Sequence, residues 1–272
     1  MSEISVYVED VSMMFNLSRN KEEGIKEYFI NMVKHNLYFQ EFWALRHISF
    51  QVEKGASLAL MGVNGSGKST LLKIIAGILS PTRGRVETHG TIAPLIEMTA
   101  GFDRNLTVKE NIYLSGAMHG HTKKYIDRHI DEIIEFAELE KFVNTPIKGF
   151  SSGMIARLGF AMATSVNADI VIADEVLSVG DAAFKIKCEE RIQRILRKGT
   201  TFLYVSHSTQ SVKKLCKNAI WLEKGIITMS GTSEEVANEY HRRVIVPAQK
   251  KKQQLLEEQK RRIAQGLDDV HP

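Results

Sequence analysis

Cysteine is nearly missing from this chain of 272 residues, which has only Cys188 and Cys216. Without C-x-x-C spacing, the pair excludes a disulfide framework and a cysteine-based metal site. It leaves two packing residues suited to a reducing compartment. Long apolar runs are absent as well. None approaches the roughly 18 residues that cross a bilayer, so the protein is expected to be soluble or held at a membrane through a partner. Met1 to Asp10 carries acids and lacks the apolar block of a secretory leader. Charge of one sign is scarce too, because 36 Lys and Arg against 32 Asp and Glu leave only +4. A nucleic-acid binder working by charge is therefore not expected. That whole excess lies after Tyr240, where Arg242, Arg243, Lys250, Lys251, Lys252, Lys260, Arg261 and Arg262 outnumber Glu257, Glu258, Asp268 and Asp269. Residues 241–272 read as a basic, Gln-rich helical tail that rests on anionic lipid or a partner, or is simply solvated.

What the chain has is 43% apolar residues, enough for a sizeable core. It also has one dense motif. Gly62 to Thr70, G-V-N-G-S-G-K-S-T, follows the apolar run Ala56 to Met61 and fits G-x-x-x-x-G-K-[ST]. Glycines let successive backbone N–H groups turn around phosphate oxygens, and the helix that follows aims its positive end at the same anion. The candidate nucleotide-binding run is therefore Gly62, Val63, Asn64, Gly65, Ser66, Gly67, Lys68, Ser69 and Thr70. Lys68 would reach the β- and γ-phosphates and Ser69 would offer its hydroxyl to Mg2+. The plainer alternative is a glycine-rich strand-to-helix turn with no ligand, and the rest of the chain counts against it.

Around this motif the periodicities alternate. Ile4 to Val11 reads as a strand. Between residues 18 and 40, Ile25, Tyr28, Phe29, Met32 and Val33 recur at i, i+3, i+4, i+7 and i+8, which predicts an inserted amphipathic helix facing a membrane, a partner or the core. Ile48, Phe50 and Val52 alternate as a strand with one buried face. Leu71 to Leu79 reads as a short helix, and Arg85 to Thr88 and Thr91 to Leu95 as short strands. Residues 107–167 form a mostly helical block, which reads as an inserted subdomain. Asp169 to Ala173 and Thr201 to Ser206 are continuous apolar runs suited to a buried parallel sheet. A hairpin about Lys224-Gly225 follows, and Thr232 with Glu235 predicts a capping box.

Two acids, Asp174 and Glu175, end the apolar strand Ile170 to Ala173, where an α/β fold places its ligand crevice. They are solvated loop acids or, with a P-loop upstream, a Mg2+ ligand (Asp174) and the base that polarises the attacking water (Glu175). His207 also follows an apolar strand, although a lone histidine is more often structural. Ser151, Ser152 and Gly153 open a helix and make a second small-residue anion site, distant in sequence from Lys68.

The order of P-loop, S-S-G-M at a helix start, A-D-E after a strand, S-V-G-D at Ser178 to Asp181, and V-S-H resembles the ATP-binding cassette of ABC transporters. The resemblance implies an α/β fold: a P-loop NTPase with a RecA-like core, an N-terminal antiparallel β part and an inserted α-helical subdomain, spanning residues 1–240. It implies ATP and Mg2+ as ligands and a homodimer, in which the signature sequence of one copy closes over ATP on the P-loop of the other. Phe150 to Met154, F-S-S-G-M, stands where many members carry L-S-G-G-Q. By the same resemblance Asp181 is the D-loop acid, His207 the switch histidine and Phe15 the aromatic that stacks on adenine. Glu97 stands where a glutamine is usual, and can still ligate Mg2+ or water.

F-W-A-L-R-H-I-S-F, E-M-T-A-G-F-D-R-N-L-T-V-K-E-N-I and D-E-V-L-S-V-G-D are similar to the polysaccharide exporters, which move O-antigen, capsule or wall teichoic acid. This implies peripheral attachment to the cytoplasmic face of the membrane beneath two permease subunits, with the 18–40 segment as a gate helix. It also implies a lipid-linked glycan handled through the permease, and no nucleic acid. The tail is too short for the glycan-binding domain of some relatives, so selectivity is expected to lie in the permease. Translation-factor cassettes normally come two to a chain, and chromosome-maintenance cassettes need a long coiled coil for which 107–167 has no room. An exporter of a drug or lipid is the remaining alternative.

Overall fold

The computed structural model describes residues 3–18, 39–96, 98–99, 101–174 and 180–264. Two sheets organise it. β1 (Ile4–Ser18) pairs antiparallel with β2 (Phe39–Glu53) on one edge and with β4 (Arg83–Thr88) on the other, in the order β2-β1-β4. The second sheet has six strands in the order β5-β6-β7-β3-β8-β9, built from β3 (Ser57–Met61), β5 (Ile92–Pro94), β6 (Ile170–Ala173), β7 (Thr201–Val205), β8 (Asn218–Glu223) and β9 (Ile226–Thr232). Its pairings are parallel except the β8–β9 hairpin.

The apolar strands are buried on both faces, and their alternation divides the core in two. Leu58, Leu60, Ile170, Ile172, Leu203, Val205, Ile220 and Leu222 pack toward the three-stranded sheet and α1 (Lys68–Ile75). Their neighbours Ala59, Met61, Val171, Ala173, Phe202, Tyr204, Ala219 and Trp221 pack on the opposite side. That side carries α2 (Val108–Met118), α3 (Lys123–Ala137), α4 (Ser152–Ser165), α5 (Ala182–Arg197), α6 (Thr209–Leu215) and α7 (Ser233–Tyr240). α8 (Val246–Ala264) extends the chain beyond them. Among the described residues no helix is long and apolar enough to cross a membrane.

Several expected boundaries move. β1 continues to Ser18 and β2 begins at Phe39, so Ser18, Phe39 and Gln40 are strand and not helix; the core of the expected 18–40 helix lies outside the described residues. Alternation fails to reveal the long strands because their register slips between Val8 and Val11, Val11 and Met13, and Met13 and Met14. Asp10 and His47 take left-handed φ values of 48° and 51° at these irregularities, and are joined at 2.7 Å. α1 starts at Lys68 and stops at Ile75, earlier at both ends than the apolar pattern predicts. Gly77, at φ 73°, donates to Ile74 O at 3.0 Å, and Ile78 donates to Lys73 O at 2.9 Å. This left-handed closure consumes the last carbonyls, so Ile78 and Leu79 lie past the helix. The Thr232–Glu235 capping box is present.

Both cysteines are buried free thiols, and desolvation pushes each above the ordinary thiol value, up to about 12. In the unfolded chain a thiol ionises earlier, so between these values the unfolded state holds fewer protons and stability falls as pH rises. Ellman's reagent at pH ~8 should find no reactive thiol in native protein and two after denaturation. Urea midpoints should drop progressively above pH ~9, less so when both residues are alanine.

Candidate active site

β3 delivers the chain to the carboxyl edge of the six-stranded sheet, and the loop that follows is shaped by what its glycines lack. A Cβ on Gly62, at φ 149°, would lie 2.3 Å from Leu222 O and 2.5 Å from Ser66 Oγ. One on Gly67, at φ 103°, would lie 2.6 Å from Leu45 Cδ2 and 2.7 Å from Ala44 O. At Gly65, φ 78°, nothing lies within 4 Å, so only the backbone there favours glycine. Two hydrogen bonds tie the loop down: Ser66 N–H donates to Val63 O at 3.1 Å, and Gly225 N–H to Ser66 O at 3.1 Å. The buried Ser66 hydroxyl has no hydrogen-bond partner among the described residues.

Helices α2 to α7 start on Thr107, Thr122, Ser151, Asp181, Ser208 and Thr232, each of which accepts a first-turn N–H through its side chain. α1 differs, because its N-cap is the left-handed Gly67, which offers no side chain. The first-turn N–H groups of a helix have no partner within the helix, so this end is a positive pole without a side-chain cap. Lys68 is 5% exposed and adds its ammonium, donating to Gly62 O at 2.8 Å and Val63 O at 2.9 Å.

This end of α1 opens on a cleft of about 330 Å3 lined by Asn64, Gly65, Gly67 to Thr70, Asp174, Val205 and His207. Sheet order explains the company. β6, β7 and β3 are adjacent and parallel, so their carboxyl ends bring Asp174, His207 and the glycine loop to one rim. Ser69 Oγ lies 3.4 Å from Asp174 Oδ2.

A family model described as ABC transporter matches residues 45–178. The teichoic acids export ATP-binding protein TagH of Listeria monocytogenes serotype 4b (strain F2365) is 43% identical over 237 residues, 87% of this chain and 70% of that protein. The O-antigen export system ATP-binding protein RfbB of Klebsiella pneumoniae is 42% identical over 201 residues, 74% of this chain and 82% of the relative. This chain belongs to the ABC transporter family. Its fold agrees with a solved dimeric structure of the ATP-binding cassette MJ0796 in a post-hydrolysis state, bound to ADP and Pi. The TM-score is 0.67 at 20% identity, across 84% of this chain and 98% of that one.

Other residues that the family resemblance singles out lie elsewhere. Glu97 and Glu175 are outside the described residues. Phe15 is half-buried on β1, opposite Phe42, against the core shared with the three-stranded sheet, and does not line the cleft. Ser151, Ser152, Gly153 and Asp181 do not line it either. Ser151 Oγ accepts Met154 N–H at 3.2 Å, so this hydroxyl caps its own helix. A Cβ on Gly153 would meet only Ser151 Oγ, at 3.8 Å, so among the described residues nothing near it requires a glycine. Asp181 accepts Phe184 N–H at 2.9 Å and Arg157 Nη2 at 2.6 Å. The Phe184 bond first, and the Arg157 charge after it, hold the Asp181 carboxyl below the usual range.

Sequence reasoning missed Arg157. It bridges Glu138 at 2.5 Å and Asp181 at 2.6 Å, with its guanidinium 4.8 Å from the Phe184 ring centre. One signal was available: Arg157 is the single charged residue in α4.

Gly67→Ala should destabilise the fold by about 3 kcal/mol, through left-handed strain together with overpacking against Leu45 and Ala44. Gly65→Ala should cost only about 1 kcal/mol, from strain alone. Urea denaturation of the two variants checks the order, and equal costs would contradict the packing argument.

Proposed function

We propose that this chain is the ATP-hydrolysing subunit that powers export of a lipid-linked polysaccharide or teichoic acid, working at the cytoplasmic face of the membrane beneath two permease subunits. The observation that carries the nucleotide reading is the uncapped start of α1, with the buried Lys68 beside it, opening on the cleft that Asp174 and His207 share. The cargo reading rests on relatives named for teichoic acids export and O-antigen export.

In this reading the loop from Gly62 to Thr70 wraps the β- and γ-phosphates with backbone N–H groups, and Lys68 exchanges its carbonyl partners for phosphate oxygens. The Ser69 hydroxyl and the Asp174 carboxylate, 3.4 Å apart, are hard oxygen donors of the kind Mg2+ prefers. Glu97 completes that set. The ion, when bound, neutralises charge on the phosphates. Glu175 takes the proton of the attacking water and His207 positions the γ-phosphate end. Phe15 stacks on adenine. A second copy supplies Ser151, Ser152, Gly153 and Asp181 across a two-fold interface, and the missing Cβ at Gly153 allows close approach from outside the chain. Residues 1–240 form the cassette, 107–167 its helical subdomain, 18–40 a gate helix and 241–272 the tail. The permease would seat in the apolar groove of about 450 Å3 between β5, α2 and α4, where Ile78 and Met118 are 45% and 63% exposed.

Glu175→Gln should retain ATP binding and lose turnover by about 10² or more, whereas Lys68→Ala should lose nucleotide affinity itself. Wild-type turnover in Glu175→Gln would remove the base assignment. In cells carrying Glu175→Gln as the sole copy, mass spectrometry of extracted lipids should show one glycan accumulating on its lipid carrier. Normal surface polymer without accumulation would leave an ATPase with a different cargo.

A further inference from the structure

The tail carries a surface that nucleotide chemistry does not use. After α7 the chain passes through the π-type turn His241–Ile245, where Val244 and Ile245 are packed against the core and Arg242 and Arg243 both bond Glu239. Beyond it, every residue from Pro247 to Glu257 is exposed. In proteins most helical stability comes from packing of one face and not from propensity, so α8, uncovered over 247–257, calls for a partner.

Its spacing describes that partner. Ala248, Lys252, Leu255, Leu256 and Ile263 fall on one side of α8, and the last three are 53%, 51% and 56% exposed. Cations surround the stripe: residues 241–264 hold eight Lys and Arg against Glu257 and Glu258. Both halves of the helix are basic, at 250–252 and at 260–262. Pairing with a second copy would therefore set like charges together whether the helices ran parallel or antiparallel. A nucleic acid would satisfy the cations but leave Leu255, Leu256 and Ile263 without apolar contact. An anionic bilayer satisfies both, with phosphate headgroups meeting the lysines and the acyl boundary receiving the aliphatic stripe.

We propose that α8 is an interfacial helix that lays the Leu255, Leu256 and Ile263 stripe, with its neighbouring lysines, on an anionic lipid surface. This attachment does not depend on nucleotide or on a permease, so it stands or falls separately from the ATPase reading.

The test is flotation of the purified full-length protein, without permease, with phosphatidylcholine vesicles containing about a third phosphatidylglycerol. The protein should float with these at low salt, be partly released at high salt, and ignore vesicles of phosphatidylcholine alone. The combined variant Lys250→Glu, Lys251→Glu, Lys252→Glu should reduce the bound fraction by about tenfold or more. Leu255→Gln with Leu256→Gln should weaken binding at both salt levels. Far-ultraviolet circular dichroism and the urea midpoint of the cassette, unchanged in both variants, serve as the folding control. Absence of wild-type flotation, or flotation of both variants like wild type, would overturn the proposal. Dissociation of a dimer by the leucine variant would make a second copy the occupant instead, and loss of co-purifying nucleic acid from the charge variant would make it nucleic acid.

Discussion

The approach of Ala44 O and the Leu45 side chain to Gly67, at distances no Cβ would tolerate, is the constraint on which the site depends. It forces a left-handed glycine onto the N-cap of α1, and that glycine leaves the helix without a side-chain cap. At the starts of α2 to α7 a threonine, serine or aspartate seals the end. The same packing contact that restricts the backbone thus leaves the start of α1 open on the cleft that Asp174 and His207 line. Two further long-range bonds complete the frame: Arg46 N–H donates to Gly225 O at 2.8 Å, and Gly225 N–H to Ser66 O at 3.1 Å. Two separate stretches of chain, at residues 44–46 and at Gly225, thus hold one loop.

The six-stranded sheet provides the stiffness behind it. Because its central strands are buried on both faces, each successive residue is committed to one core or the other, and slippage by one residue would exchange the two. That commitment sets Asp174 at the end of β6 against Ser69 at the start of α1, although 105 residues separate them. The helical side is organised differently. There charge and aromatic faces do the joining: Arg157 ties α4 to α5 and to the end of α3, and Lys187 donates to Phe136 O at 3.0 Å and to Glu138 at 3.3 Å. Ser151, Ser152 and Asp181 are held at helix starts on that side and do not line the cleft at Lys68.

Much of this was legible beforehand, where the signal was local. The P-loop spacing, the acid after Ile170 to Ala173, the histidine after Thr201 to Val205 and the Thr232–Glu235 box each fit within one element and its boundary. Strand extent was not legible, since the left-handed Asp10 and His47 and the register slips break the alternation that would reveal β1 and β2. Nor was the true end of α1, because Ile78 and Leu79 continue an apolar pattern that Gly77 has already ended. Arg157 escaped because its partners lie in α5 and at the end of α3, beyond the reach of any periodicity.

By itself, then, the sequence determined where the glycine loop meets its helix and which runs would be buried strands, because glycine spacing and apolar periodicity act over a few residues. Only the tertiary structure decided which candidates share a cleft. Parallel strand order put Lys68, Ser69, Asp174 and His207 on one rim and left Ser151, Gly153 and Asp181 off it. The physical reason is that strand adjacency and helix capping are settled by contacts between stretches far apart in the chain, and such contacts leave no period in the residues that make them.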